Sequence, residues 1–582
     1  MSAPTRRRPA APQAQPGRRT AQQRPPSGHA QRSTRRPIIR GVGFRVPTLP
    51  RLIGVQIALV VACSAAVALH APTRTVLAIA LPLAGVPFVV VAGRSVFDWA
   101  LTTVRYLTGK VPYPGVTIDE TNADGVAFGV HWRGDRASCV LELRPPDGAT
   151  TSLGRAEAAT DPAVDLAAMA RCLSQHDISV AVIDIVMHGA RTASGSPVPD
   201  VYEHLIGPLP AVATRSVWVT VTVDVPTNTD AIEVRGGGRV GATRTVGIAT
   251  ERVARSLRSH GIQSRVLTRN EIQAAASHLC RGVAFDTLTE NWRSAPLPGV
   301  IDTGFGFDCA KIDDAVLADL WATPSLSTTV VLRLTAGSTP EHVSISGSCR
   351  FVTRTTAPRP ELPGIVSMNG RHRESLLTSL PLGITAPGYA DPVRQIGYEN
   401  LSRLRIPTAG CGQLLGSNSS GNGVATRLFG PGVRSVHVAG ELYLAQQLVF
   451  RAIATGARVE VRTDRPHAWG PLVDSVATPD RLRIDGGPHR AGSRIDLVMQ
   501  DFSNAIAGPP RAGTEMATVV TLTEHPPRSP ALDPELSIIQ PGAAGDRIHV
   551  RTRRRDFELM LVTIPQETAF IGRPRSVRRT GT

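Results

Sequence analysis

A mixed α/β body on an N-terminal two-helix transmembrane hairpin, preceded by a disordered Arg/Pro-rich tail, is the fold class this sequence predicts. Three observations predict it. Two apolar runs, Leu52 to Leu69 and Thr75 to Gly93, carry no charge and lie close together. The segment before them is rich in arginine and free of acid. Behind them, strand-like and helix-like patterns alternate from about Val116 to near the end of the chain.

The hairpin follows from length. At 1.5 Å rise per residue each run spans roughly 27–29 Å, about the thickness of a bilayer hydrocarbon core. Only residues 70–74 separate the runs, so helices over about 52–69 and 75–93 turn back sharply within 51–94. Orientation follows from charge. The first 51 residues hold twelve Arg and no Asp or Glu, and Arg94, Arg105 and Lys110 follow the second run against Asp98 alone. Basic flanks stay cytoplasmic. The expectation is a multi-pass protein of the inner (plasma) membrane, held in the lipid bilayer with both termini cytoplasmic. A cleaved signal peptide fits poorly, because the basic region is long and the second run follows at once.

Residues 1–50 are rich in Pro, Gln, Arg and Ser and hold too little apolar surface to fold alone. Of the formal net charge of +17, the segment before the first run supplies +12 and the remainder only +5. The basic signal is therefore a tail beside anionic headgroups. Phe44 is its only aromatic residue, which argues against a specific nucleic-acid partner. The seven cysteines are scattered without a C-x-x-C, as suits a reducing compartment better than a disulfide scaffold.

Residues 95–115 read as a juxtamembrane helix and stalk. Trp99 and Tyr106 suit an interfacial belt, and Pro112 and Pro114 end the helix. Residues 116–570 form the cytosolic α/β body, as one unit or as two subdomains of about 116–290 and 291–570, and 571–582 form a second basic tail. Val126 to Trp132 and Ala137 to Leu143 read as strands around the Arg133-Gly134-Asp135 turn. Val164 to His176 reads as an amphipathic helix and Val180 to Val186 as a buried strand. Val217 to Val225 alternates at period two. Thr243 to His260 and Glu271 to Leu279 read as helices, the latter capped by Asn270. Thr328 to Leu334 and Val343 to Ser346 are strand-like, and Gly370 to Leu380 helical. The clearest strand–helix–strand unit is Ser435 to Ala439, Glu441 to Thr455 and Arg458 to Thr463, with Gly456 as the helix stop. Ile495 to Met499, Ala517 to Thr523, Ile548 to Thr552 and Glu558 to Thr563 close the chain as strands.

Chemistry is harder to find. Gly416 to Asn422 has two glycines but lacks the lysine of a phosphate loop, and reads as a hairpin loop. Val300-Ile301-Asp302-Thr303-Gly304 resembles the aspartic-protease signature, but the paired carboxylate that chemistry needs has no second copy here. His278 and Cys280 lack a second ligand pair for a metal. Gly236 to Gly238, between Arg235 and Arg239, precedes a helix whose N–H groups suit an anion, or is simply a flexible connector. Glu441 is a lone carboxylate without an evident partner. The sequence assigns no catalytic, cofactor-binding or metal-binding residue and no cofactor.

Several stretches together resemble the EccE family of type VII (ESX) secretion systems of mycobacteria and related actinobacteria. They are Gly129 to Asp135, Arg235 to Gly238 leading into Ala242 to Ser256, Ala409 to Gly416, Gly440 to Gln447, and Gly456 to Val459 with Thr463 to Pro466. The resemblance covers roughly residues 50 to 475. It implies a structural, non-catalytic peripheral subunit of an inner-membrane protein secretion complex, beside EccB, EccC and EccD components. It also implies a body resembling a glycosyltransferase-type α/β fold without its catalytic residues. The alternative is a membrane-tethered cytosolic transferase such as a glycosyltransferase, for which Asp184, Asp224, Asp302, Asp313 and Asp314 are the available acids, many of them at strand ends but Asp313 and Asp314 at what reads as a helix start.

Overall fold

The computed structural model describes residues 42–44, 49–68, 72, 74, 89–91, 94–109 and, with interruptions, 114–572. The tails expected over most of 1–50 and from 573 onward lie outside the described residues, as do residues 75–88 of the second apolar run.

The transmembrane hairpin is overturned. Leu49–Ala68 is a helix where the first run was expected, but Val89–Val91 is a strand. It pairs antiparallel with Val42–Phe44, Val42 opposite Val91 and Phe44 opposite Val89. Three successive β-branched residues favour that extended pairing over a helix. No helix among the described residues is long and apolar enough to cross a membrane. The expectation of a multi-pass membrane protein with both termini cytoplasmic fails on the same finding.

The juxtamembrane assignment changes as well. Val96–Thr108 is helical, but Trp99 and Tyr106 face the body. Trp99 and Tyr106 meet Trp292 at ring-centroid distances of 6.0 Å and 5.4 Å, the latter edge-on. Thr102, one turn along, is buried on the same side.

From Val116 two large sheets organise the chain, and the body is sheet-rich and mixed where a single α/β pattern was expected. The first sheet has thirteen strands. Its central path runs Ala295–Leu297, Val300–Phe307, His342–Thr353, Ser327–Ala336, Ile178–Ala190, Thr214–Asp224, Arg136–Leu143, Ala127–Arg133 and Val116–Thr121. Every pairing along it is antiparallel. Both faces are covered. Val217, Val219, Val221 and Val223 enter one core, which the long helix Gly238–Ser259 closes with Val246, Ala249, Val253 and Leu257. Trp218, Val140 and Val186 enter the other, under helices Arg269–Leu279 and His372–Thr378. Helix Arg269–Leu279 starts at a capping box between Thr268 and Glu271, two residues before the expected Asn270 cap. The helix expected over Val164 to His176 is shorter, Leu166–Arg171, because Ser174–Gln175 turns back to pair with Ile178–Ser179.

The second sheet has twelve strands. Leu482–Ile484, Val459–Thr463, Leu497–Asp501, Thr518–Thr523, Ser435–Ala439 and Leu536–Ile539 lie parallel in that order. Arg547–Thr552, Asp556–Leu561, Gln413–Ser417, Gly423–Thr426, Thr150–Leu153 and Ala158–Thr160 extend it antiparallel. Two strands of this sheet therefore come from residues 150–160, before most of the first sheet. The strand–helix–strand unit at 435–463 is present, but its two strands are separated in the sheet by two others. Its helix, Leu442–Ala454, is buried from Tyr443 to Ala454 on all sides. Helices Val198–Ile206, Pro466–Val476 and Pro565–Ile571 pack against it.

Candidate functional site

Period-two alternation along Ile178–Ala190 puts Ile183, Ile185 and Met187 in one core and turns Asp184, Val186 and His188 to the opposite face. Residues directly opposite in an antiparallel pair share a face. The register therefore gathers a polar layer there, with Asp184 opposite Arg333, His188 opposite Thr329, and Thr329 opposite Arg350. Arg333 holds Asp184 through two bonds of 2.6 Å and 3.0 Å and donates to the Ile384 carbonyl at 2.9 Å. Arg350 pairs with Asp302, both at most 1% exposed. Burial raises the Asp302 carboxyl above its ordinary range while the Arg350 charge opposes the rise. Asp302 Oδ1 and Arg350 Nε have no hydrogen-bond partner among the described residues.

His188 bonds Thr329 at 2.9 Å and meets the ring of His278 edge-on at 5.4 Å. Burial, with Arg350 and His278 beside it, holds its pKa well below the ordinary 6.5, so both partners stay neutral imidazoles at neutral pH. His278 thus belongs to an edge-on ring pair, and Cys280, two residues on, is buried with its thiol pushed up to about 11. Among the described residues no group of three or more His, Cys, Asp or Glu is placed to hold a metal ion.

The second place to look is the carboxyl edge of the parallel strands, where α/β sheets bind ligands. Glu441 lies there, just past Ser435–Ala439, and is buried. Its carboxylate accepts from Gln540 Nε2 at 3.1 Å, while its backbone N–H donates to Gln540 Oε1 at 3.0 Å. Asp501, at the end of its strand, accepts from Arg465, from Thr463 Oγ1 at 3.1 Å and from Trp469 Nε1 at 2.8 Å. These carboxylates fasten neighbouring strand ends together. Glu567 and Arg451 form a third buried lock, with bonds of 2.7 Å and 2.9 Å, and Arg451 also donates to the Leu414 carbonyl at 2.8 Å.

The remaining sequence candidates are also occupied. Asp224 meets Arg136 at 3.3 Å and Thr227 at 2.6 Å. Asp313 caps helix Asp314–Ala322 through the Val316 N–H at 2.8 Å. Asp314 accepts from the Arg405 N–H at 3.2 Å. Asp302 sits inside strand Val300–Phe307, and no second carboxylate shares its site among the described contacts. Gly416 to Asn422 connects strands Gln413–Ser417 and Gly423–Thr426 as a hairpin loop. At Gly236 to Gly238 all three residues have positive φ, and the Glu233 carboxylate lies 3.1 Å from where a Gly237 side chain would begin. The chain's own carboxylate approaches this turn.

Sequence reading missed Arg451 and Glu567, which are 116 residues apart in the chain. The available signal was an arginine inside a helix otherwise apolar on most sides.

Residues 211–306 match the family model described as "Putative type VII ESX secretion system translocon, EccE". That stretch carries strand Thr214–Asp224, the triple-glycine turn, helices Gly238–Ser259 and Arg269–Leu279, and Asp302 of the polar layer. Over most of its length the chain is also similar to the ESX-2 secretion system protein EccE2 of Mycobacterium tuberculosis (strain CDC 1551 / Oshkosh). The identity is 25% over 567 residues, covering 91% of this chain and 93% of the relative. The chain carries an EccE-type segment and is similar to EccE proteins over most of its length. Similarity to ESX-1 proteins EccE1 is more local. It is 29% over 174 residues with that of Mycolicibacterium smegmatis, covering 30% of this chain and 37% of the relative. With EccE1 of Mycobacterium tuberculosis (strain ATCC 25618 / H37Rv) it is 29% over 183 residues, covering 30% and 38%. Within this chain the acids weighed for transferase chemistry are held by partners of their own.

Proposed function

We propose that this chain is a structural, non-catalytic subunit of a type VII (ESX) protein secretion complex, acting through contacts with other components of the EccB, EccC and EccD types. The observation that carries the reading is the colinear similarity to an ESX-2 EccE2 protein over 91% of this chain. The ion pairs support the non-catalytic part. General acid–base and metal chemistry need carboxylates free to exchange protons or ligands. Asp184, Asp302, Asp501 and Glu567 are instead engaged by arginines of the same chain.

The test is affinity purification of the tagged full-length chain from cells carrying its secretion system, followed by mass spectrometry. Co-purification of the EccB-, EccC- and EccD-type components, and loss of export when the chain is deleted, are the expected outcomes. Export that continues unchanged in the deletion strain overturns the reading. Glu441→Gln tests the non-catalytic part: the amide still accepts from Gln540, so export is expected to persist.

A further inference from the structure

Where the antiparallel end of the second sheet approaches the first, the chain encloses a cavity of about 430 Å³. That is within the usual range for a small-molecule pocket, roughly 300–1,000 Å³. Met187 and Arg215 of the first sheet border it on one side, and Ala159, Asn418 and Phe557 of the second on the other. Arg215 begins as an oddity of the fold. It pairs in register with Gly189, and the indole of Trp321, from helix Asp314–Ala322, covers its guanidinium at 4.4 Å. Gly189 is required by this crowding, because a Cβ there would meet Val212 at 2.5 Å.

Among the described residues Arg215 has no carboxylate partner. Its Nε is buried without an acceptor, and Nη1 reaches only the Ala409 carbonyl at 3.4 Å. Burial lowers its pKa to about 10, which still leaves it cationic at neutral pH. The fully buried Arg350 and Arg451 are met by Asp302 and Glu567, whereas Arg215 is half-buried with its Nε enclosed. A desolvated cation normally has such a partner. Arg405 and Arg554 also border the cavity, and among the described lining residues Asp314 is the one acid.

We propose that this cavity binds a phosphate monoester with an aromatic or apolar body, its phosphate on Arg215 and its body along Trp321, Leu317 and Phe557. The guanidinium fork matches phosphate oxygens two at a time, and a dianion suits Arg215 with Arg405 and Arg554 beside it better than a carboxylate does. The inference is independent of the proposed role in secretion, since a structural subunit can carry a ligand site without catalysing anything.

Isothermal titration calorimetry of the full-length protein with phenyl phosphate tests it, with benzoate as the carboxylate control and inorganic phosphate as the body-free control. The expected result is saturable one-to-one binding of phenyl phosphate, tighter than either control, and at least tenfold weaker in Arg215→Gln. Arg405 and Arg554 are exposed, so the double variant R405Q/R554Q leaves the fold intact and is expected to weaken binding at least threefold. Absence of saturable heat with phenyl phosphate overturns the proposal. So does unchanged affinity in the R405Q/R554Q variant, or benzoate binding as tightly as phenyl phosphate.

Discussion

His131 is the residue at which sequence, packing and pH meet most directly. It is 3% exposed, with Nδ1 2.9 Å from Thr117 Oγ1 and Nε2 2.7 Å from the Pro114 carbonyl. The carbonyl can only accept, so Nε2 carries the proton and Nδ1 accepts from the threonine hydroxyl. Burial is the main cause that depresses its pKa from 6.5 to about 4, against the bond to Pro114. The unfolded chain therefore takes up a proton between these values that the folded chain refuses. Stability is flat above pH 6.5 and falls as pH drops toward 4, by about 3 kcal/mol from this residue. In His131→Gln the acid limb of the stability curve is expected to be shallower by that amount. Urea unfolding between pH 4 and 7 checks it; parallel curves for the two proteins would refute the assignment. Asp302 provides a second case. Removing one partner of a buried ion pair strands the other, so Asp302→Ala is expected to cost about 3–5 kcal/mol. The companion double variant D302A/R350M should recover part of the loss, read by the same unfolding.

Among the elements, the helix Leu442–Ala454 and the strand His342–Thr353 make opposite demands on their residues. The helix is enclosed by the sheet and three other helices, so its side chains fill space in every direction. Phe450 is fully buried and meets Phe570 at 5.2 Å. Phe450→Ala is expected to destabilise by about 3–5 kcal/mol, seen as a lower denaturation midpoint. In the strand the constraint is close approach. A Cβ on Gly347 would fall 1.9 Å from a ring carbon of Phe307 on the adjacent strand. Gly347→Ala is therefore expected to destabilise markedly, whereas Phe307→Ala in the same background should restore part of the loss by opening room. Denaturation midpoints of the single and double variants decide this, and additive losses would show that the two residues do not compete for the same space.

At the scale of the molecule, the second sheet is completed by strands far earlier in the chain. Thr150–Leu153 pairs with Gly423–Thr426, and Ala158–Thr160 forms the outer edge. Helix Val198–Ile206 also packs on Leu442–Ala454, and the Tyr202 hydroxyl accepts from the Leu414 N–H at 2.8 Å. A fragment of residues 114–410 keeps the first sheet but strips these segments of their partners. It is expected to unfold less cooperatively than 114–572 and to be cut first by protease within 148–160. Equal resistance of the two fragments would contradict this interdependence.

The sequence by itself determined the local elements wherever one pattern dominated. Valine alternation marked the Thr214–Asp224 strand, and apolar spacing with Gly456 marked the Leu442–Ala454 helix, because period and punctuation are properties of neighbouring residues. The motif stretches also carried the EccE resemblance. Hydropathy misread the second apolar run: a charge-free valine-rich stretch suits a helix in lipid and a paired strand equally, and the pairing of Val89–Val91 with Val42–Phe44 decided for the strand. Trp99 and Tyr106 were similarly undecidable, since an aromatic residue prefers a bilayer interface or a neighbouring indole according to what lies beside it. Only tertiary structure joined Asp302 to Arg350 across 48 residues and Glu567 to Arg451 across 116. Charge complementarity acts over a few ångströms of space, and chain separation does not specify which cation will come within that distance.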